Sequence, residues 1–179
     1  MLTTENTTLV IIDVQDKLSR VMYEREALFN NIQRLIKGIQ VLDIPIIVTE
    51  QNPRGLGSTI PEISNLLPYL QPIPKFSFSC CGEERFLREL KELHRKQILI
   101  TGIETHICVY QTVIDLLSLE YEVQIVVDCV SSRSLANREL GLNRVGLAGA
   151  LRTSTEMVLF ELLKIAKGER FKAIRAIVK

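Results

Sequence analysis

The chain has 179 residues, 46% of them hydrophobic and 24% charged. That length fits one domain whose core needs no disulfide or metal staple, and the composition excludes a disordered chain. Lys plus Arg number 22 against 21 Asp plus Glu, and this near-neutral balance weighs against a general binder of nucleic acid or membrane surfaces.

No apolar run approaches the ~18 residues of a membrane span. The start, Met1-Leu2-Thr3-Thr4-Glu5-Asn6, has neither a basic nor an apolar leader region, so the expected location is cytoplasmic. Four cysteines, Cys80, Cys81, Cys108 and Cys129, show no C-x-x-C spacing for zinc or redox work, and a reducing compartment is the simplest reading. Only His94 and His106 are available as imidazoles.

In chain order, residues 8–12 form the first Val/Ile-rich run, too short for a helix. Residues 26–42 then place Leu28, Ile32, Leu35, Ile36 and Ile39 on one helical stripe. A second strand is expected at 45–49. The stretch 51–75 carries Pro53, Gly55, Gly57, Pro61, Pro68, Pro72 and Pro74, and reads as one long connection with a short helix inside it. Residues 83–94 return to helical period through Phe86, Leu87, Leu90 and Leu93. Strands at 97–101 and 123–127 flank a helix at 105–119 capped by Thr105, and further helices are expected at 138–151 and 156–166. This alternation is that of a single α/β domain over residues 1–179, a three-layer α/β/α sandwich with a mostly parallel, Rossmann-like sheet.

Three residues fall at the carboxyl edge of that sheet, where such folds bind ligands. Asp13 follows the first strand, Lys75 closes the Pro-rich connection, and Cys108 lies shortly after the strand at 97–101. With Thr105 as N-cap, Cys108 occupies the first helical turn, where free N–H groups and the helix dipole favour a thiolate. A thiolate beside backbone donors is what acyl transfer requires. Taken singly, each residue also has a plain structural explanation: a capping Asp, a surface Lys, a buried Cys. Spacing alone does not join them.

The strings Ile11-Ile12-Asp13-Val14-Gln15, Lys75-Phe76-Ser77 and Gly102-Ile103-Glu104-Thr105-His106-Ile107-Cys108-Val109 resemble the isochorismatase-like cysteine hydrolases. Thr49-Glu50-Gln51, Asp128 with Ser131-Ser132-Arg133, and Gly149-Ala150 leading to Thr155-Glu156 extend the resemblance over nearly the whole chain. The branch it most resembles holds isochorismatase-domain proteins of unassigned substrate.

The resemblance implies a catalytic triad of Asp13, Lys75 and Cys108, and a covalent thioester on the way to hydrolysis of a small amide or related C–N bond. It also implies an oxyanion-binding turn at Ile103, Glu104 and Thr105, with a non-proline cis peptide at Ile103–Glu104. Gln15, Gln51 and Phe76 are expected to line a small-molecule pocket. The loop Glu50-Gln51-Asn52-Pro53-Arg54-Gly55-Leu56-Gly57 lacks the histidine of metal-binding nicotinamidases, so no metal or other cofactor is expected. Authentic isochorismatases lack the nucleophilic cysteine, which sets their reaction aside. Cys80, Cys81 and Cys129 are read as packing residues, and His106 as a solvent-facing helix start. A homo-oligomer is expected, with the Pro-rich connection and the apolar segment 171–178 as its surface. The alternative to an enzyme is a binding protein that keeps the fold with an idle site; no basic excess or histidine pair supports a ribonuclease.

Overall fold

The computed structural model describes residues 1–179. Its six strands are β1 (Thr7–Ile12), β2 (Ile46–Gln51), β3 (Ile73–Lys75), β4 (Gln97–Ile103), β5 (Glu122–Ser131) and β6 (Leu151–Thr153). They lie in the order β3-β2-β1-β4-β5-β6, with every neighbouring pair parallel. The helices are α1 (Asp16–Ser19), α2 (Arg25–Val41), α3 (Pro53–Leu56), α4 (Pro61–Ser64), α5 (Glu84–Glu92), α6 (Tyr110–Ser118), α7 (Leu135–Leu147), α8 (Thr155–Leu163) and α9 (Gly168–Val178). No helix is long and apolar enough to cross a membrane.

The two-residue period of each strand divides its apolar side chains between two cores. Leu9 and Ile11 of β1, with Leu99 and Ile103 of β4, join the stripe Leu28, Ile32, Leu35, Ile36 and Ile39 of α2 and residues of α8 and α9. Val10 and Ile12, with Ile98 and Ile100, face Phe86 and Leu90 of α5, Val113 and Leu116 of α6, and Leu142 and Val145 of α7. The result is the expected three-layer sandwich.

Several boundaries differ from the sequence reading. The stretch 51–75 is not one connection, because it holds α3, α4 and the edge strand β3, whose Ile73 and Lys75 pair in register with Thr49 and Gln51. Pro74 is tolerated there because an edge strand has one unpaired side. A sixth strand replaces the end of the helix expected at 138–151: α7 begins earlier, with the Ser134 side chain accepting from Asn137 N–H at 3.3 Å, and stops at Leu147. The apolar C-terminal segment is not a bare surface either. It lies within α9, which packs against α2 and buries Ile174 in the chain's own core.

Two glycines let the carboxyl edge close. Gly102 in β4 has φ +111°, and a Cβ there would lie 2.0 Å from the Ile12 carbonyl oxygen of β1. On α7, a Cβ at Gly141 would stand 2.9 Å from the backbone of Thr105 and His106. Only hydrogen at these positions allows β1, β4 and α7 to converge on the turn that carries Cys108.

Candidate active site

The strand order reverses direction between β1 and β4, since the chain builds outward from β1 to β3 and then resumes on its other side. Ligands in open α/β sheets bind in the crevice at the carboxyl ends of the strands flanking such a switch point. Asp13 directly follows β1 with φ 53°, a left-handed conformation that turns the chain out of the sheet and that Asp adopts more readily than most residues. Cys108 follows β4 within a wide turn, Thr105–Val109, in which the Glu104 carbonyl accepts from both Ile107 and Val109 N–H. The peptide between Ile103 and Glu104 is cis.

This turn departs from the expected N-cap geometry. Glu104, not Thr105, occupies the capping position, and the Thr105 hydroxyl is buried without a hydrogen-bond partner. The turn is π-helical because Glu104 bonds a residue five positions on, which inserts one residue relative to an ordinary helical start.

Lys75 and Asp13 form an ion pair, Nζ to Oδ2 at 2.8 Å, with neither side chain exposed. Burying two charges is expensive unless the remaining donors and acceptors are satisfied. The three ammonium donors go to Gln51 Oε1 at 2.7 Å, Ser77 O at 3.1 Å and Phe78 O at 3.0 Å. On the other partner, Thr49 Oγ1 donates to Asp13 Oδ1 at 2.8 Å. The ammonium also lies against Oδ2 at 2.8 Å, so both carboxylate oxygens of Asp13 have a close polar neighbour, Thr49 on one and Lys75 on the other. Burial is the largest effect and pushes the Lys75 ammonium down, but Asp13, Cys80 and Cys108 together outweigh it, and the net displacement is upward.

The Cys108 thiol is 5% exposed. Burial is the largest effect on it, the Asp13 carboxylate adds to burial, and Lys75 opposes both; the thiol is pushed up to about 12. The expectation of a resting thiolate is therefore corrected: with Asp13 as a polar neighbour, Cys108 rests as S–H. The other thiols follow the same physics. Burial, then Asp13, takes Cys80 up to about 11; burial, then Cys80, takes Cys81 up to about 12; and burial raises Cys129 well above its ordinary value.

Cys80 stands closer to this chemistry than a packing residue was expected to. Its Sγ lies 3.7 Å from the Thr49 hydroxyl that holds Asp13, and its N–H donates to Thr112 Oγ1 at 2.9 Å. No sequence signal beyond its position five residues after Lys75 pointed there.

The three expected pocket residues separate. Gln15 is fully buried and its amide is committed inside the protein: Nε2 donates to Gln51 O and Gly57 O, and Oε1 accepts from Gln51 N–H at 2.7 Å. It stands behind the site, not on its surface. Gln51 reaches Lys75 with Oε1 and the Phe76 carbonyl with Nε2. Phe76 is 78% exposed, so its ring is a surface group beside Lys75 with no place in the core. Glu104 is buried and accepts from Arg133 N and Nε at 3.0 and 3.2 Å, which ties the cis turn to the end of β5. His106 is half-buried and its Nδ1 lies 3.0 Å from Ser132 Oγ, so it is not the free solvent-facing residue expected. Asp128 Oδ1 accepts from Thr155 N–H at 2.9 Å, which joins two separate strings of the sequence at the start of α8.

A doubly wound parallel sheet with a buried Asp–Lys pair and a cysteine at its switch point defines a class of α/β proteins. Within that class the chain belongs to the isochorismatase family of hydrolases, since residues 7–157 match the Isochorismatase domain model. It is similar to "Isochorismatase family protein 1B" of Dictyostelium discoideum, 37% identical with 98% of this chain and 87% of that protein covered. Its fold matches a structure of MAR1 ribonuclease from Caenorhabditis elegans at TM-score 0.92 and 34% identity, covering 99% of this chain and 91% of the other. The YcaC gene product of Escherichia coli, described as an octameric hydrolase of unknown specificity, shares the fold at TM-score 0.93 and 21% identity, with 98% and 88% covered.

Proposed function

We propose that this protein hydrolyses a small amide or related C–N bond through a thioester on Cys108, with Asp13 as the proton carrier and Lys75 as its electrostatic partner. The observation that carries the reading is a buried Cys108 thiol beside the buried Asp13 carboxylate, which Lys75 pairs at 2.8 Å. A carboxylate beside a nucleophile's proton is the arrangement nucleophilic catalysis needs.

In the first step Sγ bonds to the substrate carbonyl carbon while its proton passes to Asp13. The carbonyl π electrons move to oxygen, which backbone N–H groups of the 103–108 turn stabilise. Collapse of this adduct breaks the C–N bond, and Asp13 returns the proton to the departing nitrogen as ammonia or amine. Water then attacks the thioester, Asp13 takes a water proton, and the C–S bond breaks to give the acid and the restored thiol. Throughout, Lys75 stays beside Asp13 as its counter-ion, and Gln51 with Ser77 and Phe78 keeps Lys75 in place.

The small, buried nucleophile favours a compact substrate. The protein acts as a homo-oligomer in this reading, which the octameric YcaC relative supports. Release of ammonia from a panel of small amides, with Cys108→Ser as control, tests the activity. Turnover that needs Cys108 supports the hydrolase. RNA cleavage unaffected by Cys108→Ser, with no amide turned over, contradicts it.

A further inference from the structure

On the face of β2 opposite Thr49 and Gln51 lies a second cavity, unconnected with the thiol chemistry. It has a volume of about 280 Å³ and is bounded by β2, the turn before α4, α4 itself and the segment leading to β3. Its walls are mostly apolar, with Val48, Ile63 and Leu67 prominent, and the hydroxyls of Ser58 and Ser64 interrupt them. The volume sits just under the roughly 300–1,000 Å³ of sites for drug-sized ligands, so the occupant is small.

One charged side chain lines this cavity. Glu50 is 9% exposed, and its Oε1 is held by Thr59 N–H at 2.6 Å and Thr59 Oγ1 at 2.8 Å. Its Oε2 receives no hydrogen bond from the protein, and none of the chain's ion pairs includes Glu50. No lysine, arginine or histidine lines the cavity. With Oε1 fixed by Thr59 and Oε2 accessible and unbonded, the carboxyl group presents a free acceptor to a molecule entering the cavity. The matching ligand group is a cation with N–H donors. Ser58 and Ser64 also line the cavity and carry hydroxyls that can accept N–H bonds, and the apolar walls suit a short hydrocarbon tail.

We infer that this cavity binds a small organic ammonium, a primary amine carrying a short alkyl or aryl group, with its nitrogen on Glu50 Oε2. This site is independent of the proposed hydrolysis. It still touches the same scaffold: Thr59 pairs with Gln15 in an antiparallel bridge, and Gly57 O accepts from Gln15 Nε2, so the turn above the cavity also holds the Gln15–Gln51–Lys75 chain.

Methyl-labelled protein titrated with n-butylammonium tests the assignment by NMR, with n-butanol and butyrate at equal concentration as neutral and anionic counterparts. Saturable shifts at the Val48, Ile63 and Leu67 methyls with the ammonium are expected, at least about tenfold tighter than with butanol, since charge-assisted hydrogen bonds are roughly twice as strong as neutral ones. Butyrate should leave these methyls unmoved. In Glu50→Gln, which keeps an acceptor for Thr59, affinity for the ammonium should fall about tenfold or more toward that of butanol. Equal binding of butanol and butylammonium to the wild-type protein, or ammonium shifts confined to other methyls, overturns the assignment whether or not the variant folds. Amide hydrolysis by the same preparation is read separately, so failure at this cavity leaves the reading of Cys108 untouched.

Discussion

Lys75 Nζ lies 2.8 Å from Asp13 Oδ2, and both side chains are wholly withdrawn from solvent. The ammonium is further held by Gln51, Ser77 and Phe78, and the carboxylate by Thr49. The pair is therefore fixed from both sides beside the Cys108 thiol. It is also sensitive to the loss of either partner.

Replacing Lys75 with Met strands Asp13 in the core. Breaking a buried pair by removing one partner costs about 3–5 kcal/mol. Urea unfolding of Lys75→Met should show a loss of that size, and the double variant with Asp13→Asn should recover part of it. A loss equal to the sum of the two single variants would show that the pair is not coupled.

Thr49→Val removes the hydroxyl that holds Asp13 Oδ1 and keeps the side-chain shape. An unsatisfied buried acceptor costs about 1–3 kcal/mol. Turnover should fall more steeply than substrate affinity, because Thr49 acts through Asp13. A change in KM alone would argue against this positioning role.

Stability should decline in alkali. The thiols of Cys80, Cys81 and Cys108 are pushed up to about 11, 12 and 12, with Cys129 also well above its ordinary value. In the unfolded chain they ionise near ~8.5. Above that pH the unfolded state binds fewer protons than the folded one, so unfolding free energy falls as pH rises, by up to about 1.4 kcal/mol per pH unit for each thiol. Lys75, also raised, acts in the same direction at higher pH. Urea midpoints at pH 7.5 and 9.5 check the sign, and an unchanged midpoint counts against the buried S–H state.

Gly102→Ala places a methyl 2.0 Å from the Ile12 carbonyl oxygen at a positive φ. The strands that carry Asp13 and Cys108 must then separate, at a cost of about 1–3 kcal/mol or more. Thermal unfolding should register the loss and amide turnover should disappear with it. Wild-type turnover in this variant contradicts the placement of the site at the β1–β4 junction.

Light scattering should report a mass that is a multiple of the 20.3 kDa chain. A single species at the chain mass, at micromolar concentration, rules out the proposed assembly.

Four of the six strands are legible because β1, β2, β4 and β5 are runs of Val and Ile buried on both faces. The edge strands β3 and β6 are not, being three residues each; Pro74 interrupts one, and Leu151 and Arg152 of the other are exposed. The positions of Asp13 and Cys108 follow from where β1 and β4 end, which local pattern reveals. Lys75 ends β3, which that pattern does not reveal, and is singled out by the family resemblance. Partners set by tertiary path do not follow from local pattern either. The contact of Cys80 with Thr49 depends on how residues 76–82 cross the sheet edge, and the burial of Gln15 depends on the turn at Gly57. The resting state of Cys108 was misread for a related reason: a helix start predicts a lowered thiol, whereas burial beside Asp13 raises it.

The central claim is that Cys108 carries the acyl group. Brief incubation with a small-amide substrate found by the ammonia assay, acid quenching and peptide mass mapping test it directly. The account predicts an acyl adduct on the peptide bearing Cys108, absent in Cys108→Ser and accumulating in a variant slowed at thioester hydrolysis. Turnover that persists in Cys108→Ser, or an adduct found instead on Cys80 or Cys81, would contradict it.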